Sequence, residues 1–169
     1  MRKIAIVITF FLSLGCQAMP DNLKLVGKGQ FSYLFWDLYQ AELYTTDGLW
    51  SNYQQSSPVV LKLTYQRDIS KEDFIEATVD QWKHLQGKVS SQHQAWAKQL
   101  EQLWTDVKTG DQLSCVLMAD GTVQFYFNDK LLGEVTDPAF GPAFLDIWLS
   151  EKTSAPKLRK KLLKISAQK

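Results

Sequence analysis

Apolar and polar residues alternate at two different periods along this chain. From Leu23 to Tyr44 the period is two: Leu23 and Leu25, then Phe31, Tyr33 and Phe35, with mostly polar neighbours between them. Alternation of this kind puts one set of side chains on each face of a β-strand. Gly27-Lys28-Gly29 interrupts it, where the backbone can bend or let another segment come close. Trp36-Asp37 is the expected turn, and Leu38–Tyr44 returns as the second strand of a hairpin. Thr45 to Ser57 is polar and holds Asp47-Gly48 and Ser56-Ser57, so it reads as a surface loop, with Trp50 and Tyr53 packing back from it. Val59, Leu61, Leu63 and Tyr65 then alternate with Val60, Lys62 and Thr64 in a third strand.

At Ser70 the period lengthens. Ser70 is placed to cap a helix, Asp73 to close a capping box, and Ile69 with Phe74 to staple the entry. Phe74, Ile75, Thr78, Val79, Trp82 and Leu85 form its apolar stripe, and Gly87 ends it. A second helix is expected from about Ser91 to Val107, with Trp96, Leu100, Leu103 and Trp104 on one face.

Short periods resume after Gly110-Asp111. Gln112 to Met118 is an apolar-rich strand, and Asp120-Gly121 a tight turn that takes positive φ easily. Val123, Phe125 and Phe127 then oppose Thr122, Gln124 and Tyr126. Asn128-Asp129-Lys130 turns the chain into a third strand, Leu131–Val135. Asp137 is the expected N-cap of the next helix, with Pro138 at its first position and Phe140, Phe144, Ile147 and Trp148 facing the sheet. Ser154 and Pro156 open a short last helix carrying Leu158, Leu162 and Leu163. Three strands, two helices, three strands and two helices, with sequential strands joined by hairpins, predict an α+β fold: an antiparallel sheet with helices layered on one face.

The N-terminus stands apart from this pattern. Met1-Arg2-Lys3 precedes an apolar run, Ile4 to Leu14, and then the small residues Gly15, Cys16 and Ala18. This is the layout of a signal peptide over residues 1–18, cleaved after Ala18, with a run too short to span a membrane comfortably. Gly15-Cys16 also partly matches a lipobox, which would make Cys16 a lipidated N-terminus and a membrane anchor. The expected location is the periplasm, or lipid-anchored through Cys16 in the alternative. Residues 19–169 then form a single domain, a length sufficient for one real core. Loss of Arg2 and Lys3, with no acid, takes the formal net charge from +1 to −1. A near-neutral chain lacks the basic footprint of a nucleic-acid binder. The basic run Lys157, Arg159, Lys160, Lys161, Lys164 reads as a solvated helix face. Cys115 has no internal disulfide partner in the processed chain and reads as a packed small hydrophobe.

Candidate chemistry is sparse. Gly27 and Gly29 lack the third glycine and following helix of a dinucleotide loop. His84 and His93 fall on different helices without matching ligands, so no metal is expected, and no other cofactor. No serine sits in a nucleophile elbow. What remains is a group of polar residues on aromatic-rich strands: Tyr39, Tyr44, Tyr65, Arg67 and Tyr126. Arg67, at the end of an apolar strand, has the chemistry to hold a carboxylate bidentately. A salt bridge to Asp68, Asp73 or another surface acid is the alternative.

Read together, Gly27-Lys-Gly29, Tyr39-Gln-Ala-Glu-Leu-Tyr44, Leu61-Lys-Leu-Thr-Tyr-Gln-Arg67-Asp-Ile-Ser70, Gly110-Asp111, Gly121 to Asn128 and Phe144-Leu-Asp-Ile-Trp-Leu149 resemble the bacterial secreted branch of the chalcone isomerase-like family. The resemblance implies an open-faced β-sandwich with a cleft between sheet and helices. In the plant enzymes that cleft closes a flavanone ring by intramolecular addition; in relatives without this activity it binds fatty acids. The enzymes' arginine near the first Gly-rich strand is matched only by Lys28, and their catalytic threonine falls near Tyr39. The catalytic tyrosine's region holds Tyr65, Arg67 and Ile69. These departures weigh against isomerase chemistry. The arginine and tyrosine of the fatty-acid binders are matched in type and region by Arg67 and Tyr65.

The leading expectation is therefore an exported, non-catalytic protein that binds an apolar small molecule such as a fatty acid. Arg67, Tyr65, Tyr39 and Lys28 are its candidate ligand-binding residues, and no catalytic residue is assigned. An isomerase of the chalcone type, an intramolecular lyase, is one alternative. A structural or interaction protein of the cell envelope, presenting Trp50 and Tyr53, is the other.

Overall fold

The computed structural model describes residues 19–165; the expected leader, 1–18, lies outside them. Six strands, β1 (Lys24–Tyr33), β2 (Trp36–Thr45), β3 (Val59–Tyr65), β4 (Gln112–Leu117), β5 (Val123–Phe127) and β6 (Lys130–Val135), form one antiparallel sheet in the order β1-β2-β3-β4-β5-β6. Four helices, α1 (Lys71–Gln86), α2 (Ser91–Leu103), α3 (Phe140–Leu149) and α4 (Pro156–Leu162), complete the fold. The main core lies between one sheet face and these helices. The α+β expectation holds.

Strand register converts sequence alternation into rows that cross the sheet. Leu43, Leu61, Cys115 and Phe125 are successive partners in one row, and Ala41, Leu63, Leu113 and Phe127 in the next. Phe31, Tyr39 and Tyr65 form a shorter row at the end of the sheet that β4 does not reach. The opposite face carries Tyr44, Val60, Val116, Tyr126 and Met118 in a second, smaller cluster with Met19 and Leu23. Cys115 is buried, as its alternation predicts, and burial pushes its thiol pKa up.

Gly27 and Gly29 have a purely steric reason. α4 lies directly on β1, and a β-carbon on Gly27 would collide with the carbonyls of Lys161 and Leu162. One on Gly29 would sit 2.8 Å from Leu158 Cδ1. Both glycines admit the last helix, whose Leu158 and Leu162 are buried.

Four local expectations are corrected. The first hairpin turns at Leu34-Phe35, because Ser32 pairs with Asp37 and Tyr33 with Trp36, and Leu34 takes the positive φ of 55°. α2 stops at Leu103: Trp104 becomes extended, and Val107 pairs with Ile69 through two backbone bonds of 3.0 Å. Asp137 caps a turn rather than the helix, accepting from the Ala139 N–H, and α3 begins at Phe140. Ser70 caps α1 as expected, but Asp73 Oδ2 accepts from the Ser70 hydroxyl, not its backbone. The full capping box is at α2. Ser90 Oγ accepts from the His93 N–H, and His93 Nδ1 accepts from the Ser90 N–H.

Candidate functional site: an apolar cleft floored by two tyrosines

The Phe31–Tyr39–Tyr65 row is not covered by α2. Instead α1 and α3 approach it from above, and the chain between α3 and α4 closes one side. The space left is a cleft of about 360 Å³. That is toward the small end of sites that enclose small molecules, roughly 300–1,000 Å³. Phe31, Leu38, Tyr39 and Tyr65 come from the sheet, Phe74, Ala77, Thr78 and Gln81 from α1, and Ile147 and Trp148 from α3. Ser154 and Ala155 close the side, with the Ser154 hydroxyl bonded to Gln81 Oε1 at 2.7 Å.

Each wall follows from a local pattern. Phe74 and Thr78 are one turn apart on the same face of α1. The Thr78 hydroxyl is satisfied by the Phe74 carbonyl at 2.9 Å, so it adds a methyl and no free donor to the wall. Phe31 stacks on Tyr39 with centroids 5.0 Å apart, and Tyr39 and Phe74 both meet Tyr65 edge-on, at 5.9 and 5.4 Å. Edge-to-face packing of this kind suits the ring quadrupoles.

The two tyrosines supply the polarity. Tyr39 Oη accepts from Trp148 Nε1 at 2.9 Å, which leaves its own proton to donate. Tyr65 Oη is buried and has no hydrogen-bond partner. An unpaired buried hydroxyl costs on the order of 1–3 kcal/mol. Burial raises the pKa of both phenols, and the nearness of Tyr39 raises that of Tyr65 further. Both are therefore neutral hydrogen-bond donors at any physiological pH, and neither is a base.

Of the four expected ligand residues, the structure brings two together. Tyr39 and Tyr65 line the cleft; Arg67 and Lys28 do not. The chain leaves β3 after Tyr65, and the Arg67 guanidinium carbon lies over the Trp36 ring, 3.8 Å from its centroid. Lys28 is exposed on β1, with its neighbours Gly27 and Gly29 turned to α4. Among the described residues the charged groups at the cleft are Asp68 and Asp73, both exposed at its rim. Asp68 accepts from the Thr109 N–H and from Lys108 Nζ, which hold its pKa low. Tyr44 and Tyr126 belong to the other sheet face. Trp148 and Phe74, which complete the cleft, read in sequence only as core-facing helix residues; nothing in the chain's spacing links them to Tyr39.

Trp50 and Tyr53 pack on the core as the loop reading expects. Their rings meet edge-on at 5.2 Å, and Tyr53 Oη donates to Asp146 at 2.6 Å. Tyr53 also borders a wider hollow of about 470 Å³ with Met118, Asp120 and Pro138, but its hydroxyl is already engaged there. Among the described residues no cluster of His, Cys, Asp or Glu could hold a metal ion, and no helix is long and apolar enough to cross a membrane.

An open antiparallel sheet with helices on one face is the fold expected of chalcone isomerase-like proteins. The chain belongs to that family, whose model, described as chalcone isomerase-like, matches residues 14–164. It is 25% identical over 159 residues to an uncharacterized protein of Haemophilus influenzae, covering 93% of this chain and 74% of the relative. Its fold is similar to the crystal structure of an Arabidopsis thaliana fatty-acid binding protein. The TM-score is 0.64 at 14% identity, covering 86% of this chain and 89% of the other.

Proposed function

We propose that this protein is an exported, non-catalytic binder of an apolar small molecule held in the cleft between sheet and α1, with a fatty acid as the candidate ligand. The observation that carries this reading is the Tyr65 hydroxyl, buried and unpaired beside an apolar cavity. The hydroxyl is sealed from solvent, so a ligand oxygen reaches it only where the neighbouring rings give way, and there it would gain a hydrogen bond that the phenol otherwise lacks. Fold similarity to a fatty-acid binding protein supports the ligand class. Because no cation among the described residues lines the cleft, the ligand's polar end meets phenol donors rather than a guanidinium. A carboxylic acid would then enter in its protonated form, or with its carboxylate at the solvent edge.

Native mass spectrometry of the purified chain, followed by titration with lauric acid, tests this. Stoichiometric binding weakened severalfold by Tyr65→Phe is expected; no binding of lauric acid and no co-purified ligand would overturn it. Catalysis of the chalcone type has less support, since the arginine that holds the developing phenolate in the plant enzymes has no counterpart in the cleft, where neither Arg67 nor Lys28 lies. An assay with naringenin chalcone is expected to show no acceleration over buffer. Export predicts a product beginning at Met19 on N-terminal sequencing, or a lipid-modified Cys16 if the lipobox is used.

A further inference from the structure

The β1–β2 hairpin ends in four consecutive large apolar residues turned to solvent. Tyr33 is 62% exposed, Leu34 76%, Phe35 97% and Trp36 54%. Four such residues in a row on a surface are a liability to an isolated soluble protein unless they are used. The hairpin is also longer than the sheet it belongs to. β3 pairs with β2 only as far as Tyr39, with one further bond from the Gln66 N–H to the Leu38 carbonyl. The pairs Ser32–Asp37 and Tyr33–Trp36 extend past that point as a two-stranded tongue.

Cations without anionic partners surround this tongue. Arg67 lies on Trp36 and, among the described residues, has no carboxylate within ion-pair distance. Lys157 and Lys161 border the groove between α4 and β1 at Phe31 and Ser32, and neither is in an ion pair among the described residues. Of the nearby acids, Asp68 is bridged by Lys108 at 3.2 Å, whereas Asp37 and Asp73 accept from the Ser32 and Ser70 hydroxyls and have no cation paired to them among the described residues, so the three cations face two unbalanced acids. Tyr and Trp with one apolar and one polar end, next to unpaired Arg and Lys, match the chemistry of a bilayer's headgroup boundary. Phe31, Leu38 and Tyr39, just behind the tip, are walls of the cleft.

We propose that the tongue Tyr33–Trp36 inserts into the interface of an anionic lipid bilayer, with Arg67, Lys157 and Lys161 on the headgroups, and so sets the cleft mouth against the membrane. This goes beyond ligand binding in the cleft and does not require it.

The test is co-sedimentation of the chain from Met19, which contains every element of the fold, with vesicles of phosphatidylcholine alone or with one quarter phosphatidylglycerol. Phe35→Asp, Arg67→Ala and Leu49→Asp are compared. Leu49 is 67% exposed beyond the other end of β2 and serves as the apolar control. The wild-type chain and Leu49→Asp should pellet with anionic vesicles and less with neutral ones. Phe35→Asp should lose about tenfold or more in partitioning, the scale of burying one aromatic side chain. Arg67→Ala should lose severalfold on anionic vesicles and little on neutral ones. Melting curves establish that the variants fold. Failure of the wild-type chain to bind either vesicle overturns the proposal. So does binding that Phe35→Asp leaves unchanged, or a concentration-dependent dimer, broken by Phe35→Asp, in a chain that ignores vesicles.

Discussion

Under the proposed ligand-binding reading, Tyr65 sets stability against function in one atom. Its ring fills the core while its hydroxyl, buried without a partner, opposes folding. Tyr65→Phe is therefore expected to leave the ligand-free protein as stable or to stabilise it by about 1 kcal/mol, from the unsatisfied-donor cost. The same change should weaken ligand binding. Urea unfolding and ligand titration on the one variant separate this outcome from a general packing defect, which would lower both. His93 is a second residue whose environment sets a measurable property. It is buried, stacked on Trp82 at 5.0 Å, and accepts the Ser90 N–H at Nδ1, so the fold needs it neutral. Burial lowers its pKa from 6.5. Below about pH 6.5 the unfolded chain takes up a proton that the folded chain refuses. Stability should thus be level above that pH, fall as the pH drops below it, and level off again once the folded-state pKa is passed. His93→Gln, which keeps an acceptor near the cap, should flatten this part of the curve in denaturant unfolding at pH 5 to 7.5.

At the scale of elements, α4 depends on two absent side chains. Gly27 meets backbone carbonyls of α4, which no rotamer can move, whereas Gly29 meets side-chain atoms, Leu158 Cδ1 and the Cβ and Cδ of Lys161. Gly27→Ala should cost about 1–3 kcal/mol as overpacking, and Gly29→Ala less. Limited trypsin digestion should show earlier cleavage around Lys157–Lys161 in the Gly27 variant. If both substitutions are silent in urea and to trypsin, α4 does not hold β1 as described. The Gly-Lys-Gly signal was legible as a place of close approach, but the approaching segment lies more than a hundred residues away and could not be read. The Trp36-Asp37 turn was misplaced for a different reason. Tyr33, Leu34, Phe35 and Trp36 look like a continuing strand because they are large and apolar, and only the register shows that the chain turns in the middle of them.

For the whole molecule, β3 and β4 lie in the middle of a sheet built by neighbouring hairpins, with helices on one side. Hydrogen exchange should leave the amides of Leu61, Leu63 and Cys115 among the slowest. Those of the β1–β2 tongue, bonded on one side only and exposed, should exchange fastest among the strands. Equal protection in tongue and centre would show that the tip is packed in solution.

The sequence by itself determined which residues alternate and which recur at helical spacing, and hence the elements, their order and the antiparallel α+β class. These depend on near-neighbour geometry: a strand's two faces, a helix's stripe, a cap three residues from its partner. Family resemblance followed the same ordered pattern. Only the tertiary structure decided which residues line the cleft. Tyr39, Tyr65, Phe74 and Trp148 meet because three strands are in one register and two helices cross above their ends. Arg67, two residues from Tyr65, leaves the cleft because the chain bends off the strand there and its guanidinium finds the Trp36 ring. Adjacency in sequence placed both residues at one site; a bend of the backbone separated them, and no periodicity records such a bend.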